Sequence, residues 1–371
     1  MDTNDAGLIP TACGYGFPEY DISIINILAI ETYKPDGSVK VLVINESAPE
    51  PKPMADQACR MPTTARVGGS SNIGNDMSAY WHALGVAAVT GQSFSAQAGM
   101  GGSTFTGYLP TQWHPPADWH GDAERGREAC ECKRPEFPHE CIGAWTEVRG
   151  LIRDFVHDSL TRAGLTQQVK DDILPDEVFV HQRCAWETLL LHGMYGPMSF
   201  SVFGQAMRAT TTRVTFIEGK AGDPWLCVKI RESIQDYIRK DHPNVSFRVL
   251  LGDTNPQSIS LDFARLVYAP ILVRGPSSFN LWAALANRGQ VYSPPNPESW
   301  GWSTVELGSD WHWVTTARVL TRNIAKEELK LKRPIEKKPR KDGEPAWTDI
   351  FLERALPWLQ EDPRWFKHVN N

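Results

Sequence analysis

The sequence reads SSFNLWAALAN from Ser277 to Asn287, and this stretch lies between two short apolar runs, residues 271–273 and 291–292. Apolar runs of this length on either side of a helical segment predict a strand, a turn, a helix and a second strand. The apolar residues of the segment follow the three-and-four spacing of a helix that packs on a sheet: Phe279, Trp282, Ala283 and Ala286. The stretch therefore predicts an α/β unit.

The same stretch has the residue types of an anion site. The hydroxyl groups of Ser277 and Ser278 precede the predicted helix, where such side chains cap the first turn. The amide N–H groups and the positive dipole end at a helix N-terminus favour a bound phosphate. A capped core helix that binds nothing is the alternative interpretation, and this segment alone does not decide between the two.

The second half of the chain alternates strand patterns with helix patterns. The strand patterns cover residues 178–181, 214–217, 247–251, 271–273 and 291–292, and the helix patterns cover 226–239, 261–267 and 277–287. Such alternation predicts parallel strands in a doubly wound domain. Ligands of this architecture bind at the carboxyl ends of the strands.

Three polar groups lie at or after the ends of strands and are the candidates for that edge: His181-Gln182-Arg183, Asp253-Thr254 and Ser277-Ser278. Arg183 is the strongest of them, because a guanidinium is a planar fork that takes two phosphate oxygens at once. In a transferase that breaks a sugar–phosphate bond, negative charge develops on the leaving diphosphate. Arg183 and the helix N-termini would stabilise that charge without a metal. The sequence also lacks an Asp-X-Asp triplet, which holds the divalent ion in the other large class of nucleotide-sugar enzymes. We therefore expect no metal at this site.

The first half is less regular. A glycine-rich turn at residues 68–72 feeds a helical pattern from Ile73, with Gly74 and Asn75 at its mouth. This arrangement is typical of an anion site, or it is simply a loop before a helix. Elsewhere the patterns predict strands at residues 22–30 and 39–44, long loops over 91–141 and a helix over 145–163.

Composition limits the classes of function. The 371 residues suggest two domains. The net charge is −6, from 38 basic and 44 acidic residues, which argues against a protein that binds nucleic acid through its overall field. No apolar run reaches the ~18 residues of a membrane span, so we expect no membrane segment. Of the seven cysteines, Cys130, Cys132 and Cys141 could form a bridge or, with His139, a zinc site whose spacing fits no common finger.

Three islands of the sequence resemble the α-1,2-fucosyltransferase family. The segment from Asp262-Phe263 to the 277–285 helix is similar to the family's C-terminal motif, in which an Asp-Phe pair precedes a small-residue-Phe-X-X-Trp-Ala-Ala helix. His181-Gln182-Arg183 resembles its His-X-Arg motif. Gly74-Asn75-Asp76-Met77 resembles its N-terminal Gly-Asn-Gln helix. The three islands occur in the family's order.

The resemblance implies a GT-B fold, that is, two Rossmann-like domains that face a cleft, and transfer of fucose from GDP-fucose with inversion and without a metal or cofactor. It implies that Arg183 contacts the diphosphate, that His181 and Asp262 lie around the nucleotide, and that Gly74 and Asn75 approach from the opposite domain. Ser277, Ser278 and Phe279 would close on the phosphate and the base.

Two positions depart from the family pattern. Trp186 stands where the family usually has an acidic residue, with Glu187 one position later, and Asp76 replaces the usual Gln. Glu187 is the candidate base, since inversion requires a group that accepts the acceptor hydroxyl's proton. A surface carboxylate paired with a Lys or Arg is the alternative for Glu187.

The predicted function is therefore an inverting glycosyltransferase that acts on a glycan. The alternatives are a GT-B transferase for another nucleotide sugar and a catalytically silent carbohydrate-binding protein. The latter would stack sugars on its Trp clusters, Trp300 with Trp302 and Trp311 with Trp313. The predicted domains are residues 1–168, on the acceptor side, residues 169–300, which bind the nucleotide sugar, and residues 301–371, a Trp-rich and basic extension with a terminal helix. The predicted location is the Golgi lumen for a trimmed eukaryotic fragment and the cytoplasm otherwise.

Overall fold

The computed structural model describes residues 32–33, 39–40, 64–66, 73–97, 105–119, 142–183, 196–219, 224–253, 255–294, 307–331 and 347–361. The chain separates into two units, Met1–Ala58 and Cys59–Asn371. In the first unit, β1 (Thr32–Tyr33) and β2 (Val39–Lys40) form an antiparallel pair. The strand predicted at 22–30, the cysteine cluster at 130–141 and Glu187 lie outside the described residues.

A six-stranded sheet forms the centre of the second unit. Its strands are β6 (Val178–Gln182), β7 (Arg213–Glu218), β8 (Ser246–Leu251), β9 (Ile271–Val273), β10 (Gln290–Ser293) and β11 (Trp311–Trp313). They lie in the order β11-β10-β9-β6-β7-β8, and every neighbouring pair is parallel. The prediction of a parallel α/β sheet is therefore confirmed.

The order of the strands is compatible with a Rossmann-like fold. Counted along the chain from β6 and read from the β8 edge, the order is 3-2-1-4-5-6. In this order the chain winds outward from β6 in one direction and from β9 in the other. The crevice between the carboxyl ends of β6 and β9 is therefore the place where such sheets bind ligands.

Helices cover both faces of the sheet. They are α1 (Ile73–Thr90), α2 (Ile142–Arg162), α3 (Leu165–Lys170), α4 (Ser201–Ala206), α5 (Pro224–Asp241), α6 (Pro256–Tyr268), α7 (Ser278–Ala286), α8 (Arg322–Glu327) and α9 (Trp347–Leu359). Among these described helices, none is both long and apolar enough to cross a membrane.

Successive residues of β6 point into two different apolar cores. Phe179 belongs to a core that includes residues of α1, α2, α6 and α7. Val178 and Val180 belong to a second core with α4, α5 and α9. Because side chains alternate along a strand, a fully buried parallel strand is apolar on both faces, which explains its continuous apolar sequence.

One sequence interpretation was wrong in detail. The region 91–141 was expected to be loop, but Phe94–Gln97 forms β4, which pairs with β3 (Thr64–Arg66) and with β5 (Gln112–Trp113). These strands are two to four residues long, too short to produce a periodic pattern. Phe94 is fully buried, and long-range pairing rather than local pattern decides its conformation.

Candidate functional site

A pocket opens at the crevice between β6 and β9. It encloses about 560 Å³ of empty space, part of it open to solvent. Its polar residues come from the ends of these two neighbouring strands: His181, Gln182 and Arg183 after or at the end of β6, and Ser277 after β9. The structure thus brings together His181, Arg183 and Ser277, three of the residues that the sequence predicted for this edge.

The remaining walls of the pocket are mostly apolar. They come from β6, α4, α5 and the loops before and after them: Val180, Gly196, Pro197, Met198, Phe203, Ile230, Ile234, Gly275 and Pro276. An apolar interior with a few polar groups at one side is the usual character of a small-molecule site. These apolar residues were not predicted, because the sequence gives no sign of which helix residues face a crevice rather than the core.

Ser277 occupies the N-cap position of α7, but its side chain does not cap the helix. Its backbone N–H donates to the carbonyl of Gly275 at 2.9 Å. The Ser277 residue is only 2% exposed, and its Oγ has no hydrogen-bond partner within the described ranges. The expectation of a capping hydroxyl was wrong, and the result is a buried hydroxyl beside the amide N–H groups of the helix N-terminus.

The N-terminus of α1 meets the N-terminus of α7. A Cβ atom at Gly74 would lie 2.5 Å from Ser278 Oγ and 2.8 Å from the backbone nitrogen of Phe279. Only glycine fits at this approach. Asn75 follows Gly74 in the first turn of α1, and its side chain lies outside the described part of the chain. Because both helices point their positive dipole ends at one region, an anion nearby would be stabilised.

An aromatic row extends from His181. Its ring lies 5.4 Å from the ring of Phe279, which lies 5.4 Å from Phe263, and Phe263 stacks on Phe105 at 4.7 Å. Burial, together with the charge of Arg183, lowers the pKa of His181 to about 3. The imidazole is therefore neutral at neutral pH, so one of its ring nitrogens is an acceptor. Its Nδ1 is buried and has no hydrogen-bond partner in the part of the chain that the structure describes.

Asp262 lies in the middle of α6, the helix that follows β8. It is 7% exposed and pairs with Arg265 at 3.0 Å. Burial raises the pKa of Asp262 to about 6, although Arg265 opposes the shift. A Cβ atom at Gly252 would lie 2.7 Å from Asp262 Oδ2, so the carboxylate packs against the end of β8. Asp262 does not line the pocket itself.

Asp253 has a local structural role in the described chain. It is exposed, its Oδ2 accepts from Asn255 Nδ2 at 2.9 Å, and its backbone N–H donates to Ser258 Oγ at 3.0 Å. Asn255 in turn caps α6 through a bond from the N–H of Ser258. These contacts stabilise the turn before α6, and Asp253 does not line the pocket.

The sequence interpretation missed Gln182 as an individual site residue and missed Glu218 entirely. Glu218 ends β7, is 3% exposed and pairs with Arg231 of α5. Burial raises its pKa. A charged residue directly after a buried apolar strand was the signal used for Arg183, and the same signal would have found Glu218.

Two further observations concern possible ligands and covalent links. Within the described ranges, no group of three or more His, Cys, Asp or Glu side chains is placed to hold a metal. Cys227, in the first turn of α5, is disulfide-bonded. Its carbonyl accepts a hydrogen bond from Gln182 Nε2 at 3.4 Å, which brings the start of α5 to the edge of the pocket.

The fold and the pocket define a general class, an α/β protein with a parallel, Rossmann-compatible sheet and a polar-edged pocket at the point where the strand order reverses. Comparison of the sequence with models of known protein families finds no match. A search of curated proteins finds no significant match either.

Proposed function

We propose that this protein is an inverting glycosyltransferase of the GT-B type, which transfers fucose from GDP-fucose to a hydroxyl group of a glycan. The observation that carries the proposal is the pocket between β6 and β9, where Arg183, Ser277 and the N-terminus of α7 meet. This is the position at which doubly wound sheets bind nucleotides.

The diphosphate binds at the positive side of this pocket. Arg183 takes two phosphate oxygens through its planar fork. Ser277, whose buried Oγ has no hydrogen-bond partner among the described residues, donates its hydroxyl proton to a third oxygen. As the bond to the sugar breaks, negative charge grows on the diphosphate, and these donors and the dipole of α7 stabilise that charge. No metal ion is required for this role.

The nucleoside binds next to the aromatic row. The neutral ring of His181 offers an acceptor nitrogen, and Asp262 offers carboxylate oxygens for the N–H donors of a base. Phe279 contacts His181 and supplies an apolar face. The family resemblance assigns these three residues to the nucleotide, and their proximity to the carboxyl edge of the sheet supports that assignment.

The GT-B arrangement is part of the proposal. Residues 1–168 form the acceptor-side domain, 169–300 the nucleotide-sugar domain, and 301–371 the extension. The close approach of Gly74 to Phe279 supports a position of α1 near the proposed diphosphate site, which the resemblance implies for Gly74 and Asn75. Glu187 is the proposed base that accepts the proton of the acceptor hydroxyl.

The disulfide at Cys227 bears on the location of the protein. Disulfides persist mainly in oxidising compartments. Of the two predicted locations, the Golgi lumen is therefore the one we propose. Peptide mapping without reduction tests the bridge, and a free thiol at Cys227 in freshly purified protein would contradict this placement.

A thermal-shift titration tests the donor site. The ligands are GDP, GDP-fucose, GDP-mannose, UDP and UDP-sugars, on wild type and on Arg183→Ala. A ligand at ~100 times its dissociation constant adds about 2.7 kcal/mol to the free energy of unfolding. We expect stabilisation by GDP and GDP-fucose that Arg183→Ala removes.

Three other outcomes are informative. Stabilisation by a different nucleotide sugar would keep the transferase and change its donor. No shift with any nucleotide would contradict the transferase. Binding of glycans without donor turnover would then favour the carbohydrate-binding scaffold.

A further inference from the structure

Two polar side chains stand side by side at the carboxyl edge of the sheet. Gln182 is the last residue of β6, Glu218 is the last residue of β7, and the two are partners in the strand register. Neighbouring strands lie ~4.8 Å apart, and residues in register project to the same face of a parallel sheet. The side chains of Gln182 and Glu218 are therefore neighbours.

Helix α5 orients both side chains. The carbonyl of Cys227 accepts a hydrogen bond from Nε2 of Gln182 at 3.4 Å. Because a carbonyl only accepts, the amide nitrogen must face Cys227 and the amide oxygen must face elsewhere. Arg231, on the same helix, donates to Oε2 of Glu218. Each contact with α5 thus uses one polar atom and leaves one oxygen.

The two remaining oxygens have no donor among the described residues. Oε1 of Gln182 and Oε1 of Glu218 are both buried, and neither accepts a hydrogen bond in the described chain. Burial of an acceptor without a donor is unfavourable, whereas a ligand that presents hydroxyl groups would satisfy both oxygens. Gln182 lines the same pocket as Arg183 and Ser277, so a ligand held there by phosphate lies beside it.

We propose that Gln182 and Glu218 form an acceptor pair that binds hydroxyl groups of the nucleotide sugar. The inference rests on the proposed function and adds the recognition of its hydroxyls. Arg183 and Ser277 give the pocket a donor side for phosphate. Gln182 lines the same pocket, and Glu218 lies beside it on the next strand, so together they add acceptors for hydroxyls. These hydroxyls belong to the ribose or to the transferred sugar, and the recognising chemistry is the same.

The variant Glu218→Gln tests the pair at almost constant size. Since Arg231 can only donate, the introduced amide keeps its oxygen toward Arg231 and turns its NH₂ group to the position of Oε1. An acceptor is thereby replaced by a donor. We expect the affinity for GDP-fucose to fall about tenfold, the usual cost of one lost hydrogen bond to a charged group. Isothermal titration calorimetry on the full chain measures this change.

A second variant and a matched control accompany it. Gln182→Met removes the other acceptor and is expected to weaken binding in the same direction. Glu177→Gln is the control, because Glu177 is also fully buried and paired with an arginine, Arg213, but lies before the start of β6. We expect its affinity to equal that of the wild type, and circular dichroism of each variant establishes that it is folded.

The ligands separate the two sources of hydroxyls. If the pair binds ribose, 2′,3′-dideoxy-GDP binds wild type about as weakly as GDP binds Glu218→Gln. If the pair binds the transferred sugar, only GDP-fucose loses affinity in the variant. Folded variants that bind GDP and GDP-fucose within about twofold of wild type would overturn the acceptor pair. Wild-type protein that binds no nucleotide would instead overturn the proposed function, and with it the ligand assigned to the pair.

Discussion

The indole N–H of Trp282 donates a hydrogen bond to the carbonyl oxygen of Gly74, 3.1 Å away, and a second one to Ser78 Oγ at the same distance. The two residues are 208 positions apart in the chain. Trp282 lies on α7 and Gly74 on α1, so this contact fixes the beginning of α1 against the helix whose N-terminus borders the pocket. A substitution of Gly74 tests this contact between α1 and α7.

Gly74→Ala is expected to destabilise the fold. The added Cβ would lie 2.8 Å from the backbone nitrogen of Phe279, which cannot move without a shift of α7. Overpacking of this kind costs about 1–3 kcal/mol, and thermal unfolding measures it. Gly150→Ala is the matched control, because Gly150 is also helical but no described atom lies within 4 Å of its Cβ position. There the change should stabilise by roughly 0.5–1 kcal/mol; equal effects of the two substitutions would contradict the close contact.

Much of the sheet could be predicted from sequence, because the buried strands are apolar on both faces. The pattern at 271–273 coincides with β9, and those at 178–181 and 214–217 fall short of β6 and β7 by one or two residues. The helix pattern at 261–267 missed the first turns of α6, although Asn255 caps them and Pro256 stands at the first helical position. A capping Asn followed by Pro is a helix-start signal in the sequence, and it favours a helix that begins at Pro256.

The relations between distant segments could not be predicted. The sequence predicts Arg183 and Ser277 from local signals, because Arg183 directly follows an apolar strand and Ser277 stands between a short apolar strand and a helix pattern. Gln182 was seen only as part of a motif, and its pairing with Glu218 depends on the register of β6 and β7. Likewise, nothing in the local sequence of Gly74 indicates that Phe279 would lie against it. Register and helix contacts arise from packing across the whole unit.

Asp310→Asn is expected to destabilise the unit strongly. Arg149 of α2 is buried, binds Asp310 through both nitrogens of its fork, and donates through Nε to the carbonyl of Leu285 at the end of α7. Removing the carboxylate leaves a buried guanidinium without its anion, which costs about 3 kcal/mol. Urea unfolding measures the loss.

The control for Asp310→Asn is Arg162→Met, which breaks the exposed pair of Arg162 with Asp158. Exposed pairs contribute little, so we expect a change within about 0.5 kcal/mol. A loss of similar size in both variants would show that the buried pair has no special role.

Arg183→Lys is expected to weaken GDP binding although it keeps the positive charge. Lysine presents one point charge and cannot bind two phosphate oxygens in the planar geometry of a guanidinium. We expect about a tenfold loss of affinity by calorimetry, and a larger loss for Arg183→Ala. Arg208→Lys is the control, since Arg208 pairs with Asp176 at the opposite edge of the sheet. Unchanged affinity in Arg183→Lys would show that the site needs charge alone.

Asp262 gives a prediction about pH with a definite sign. Burial raises its pKa from the ordinary value of 3.8 to about 6, against the influence of Arg265. At pH values between these two pKa values, Asp262 carries a proton in the folded protein but not in the unfolded chain. The free energy of unfolding therefore falls as the pH rises from about 4 to about 6. Asp262→Asn removes this contribution. Relative to wild type, the variant should gain up to roughly 3 kcal/mol on going from pH 4 to pH 7.

Asp172 is expected to make stability depend on pH in the opposite direction. Its hydrogen bond to Arg248 lowers the pKa of this carboxyl group, so its contribution is present at neutral pH and is lost as the pH falls through that lowered value. Urea unfolding of wild type, Asp262→Asn and Asp172→Asn at several pH values between 3 and 7 measures both effects. If the stability difference between Asp262→Asn and wild type does not change with pH, Asp262 is ionised in the folded protein as readily as in water, and its carboxylate is not held in the buried position beside Gly252.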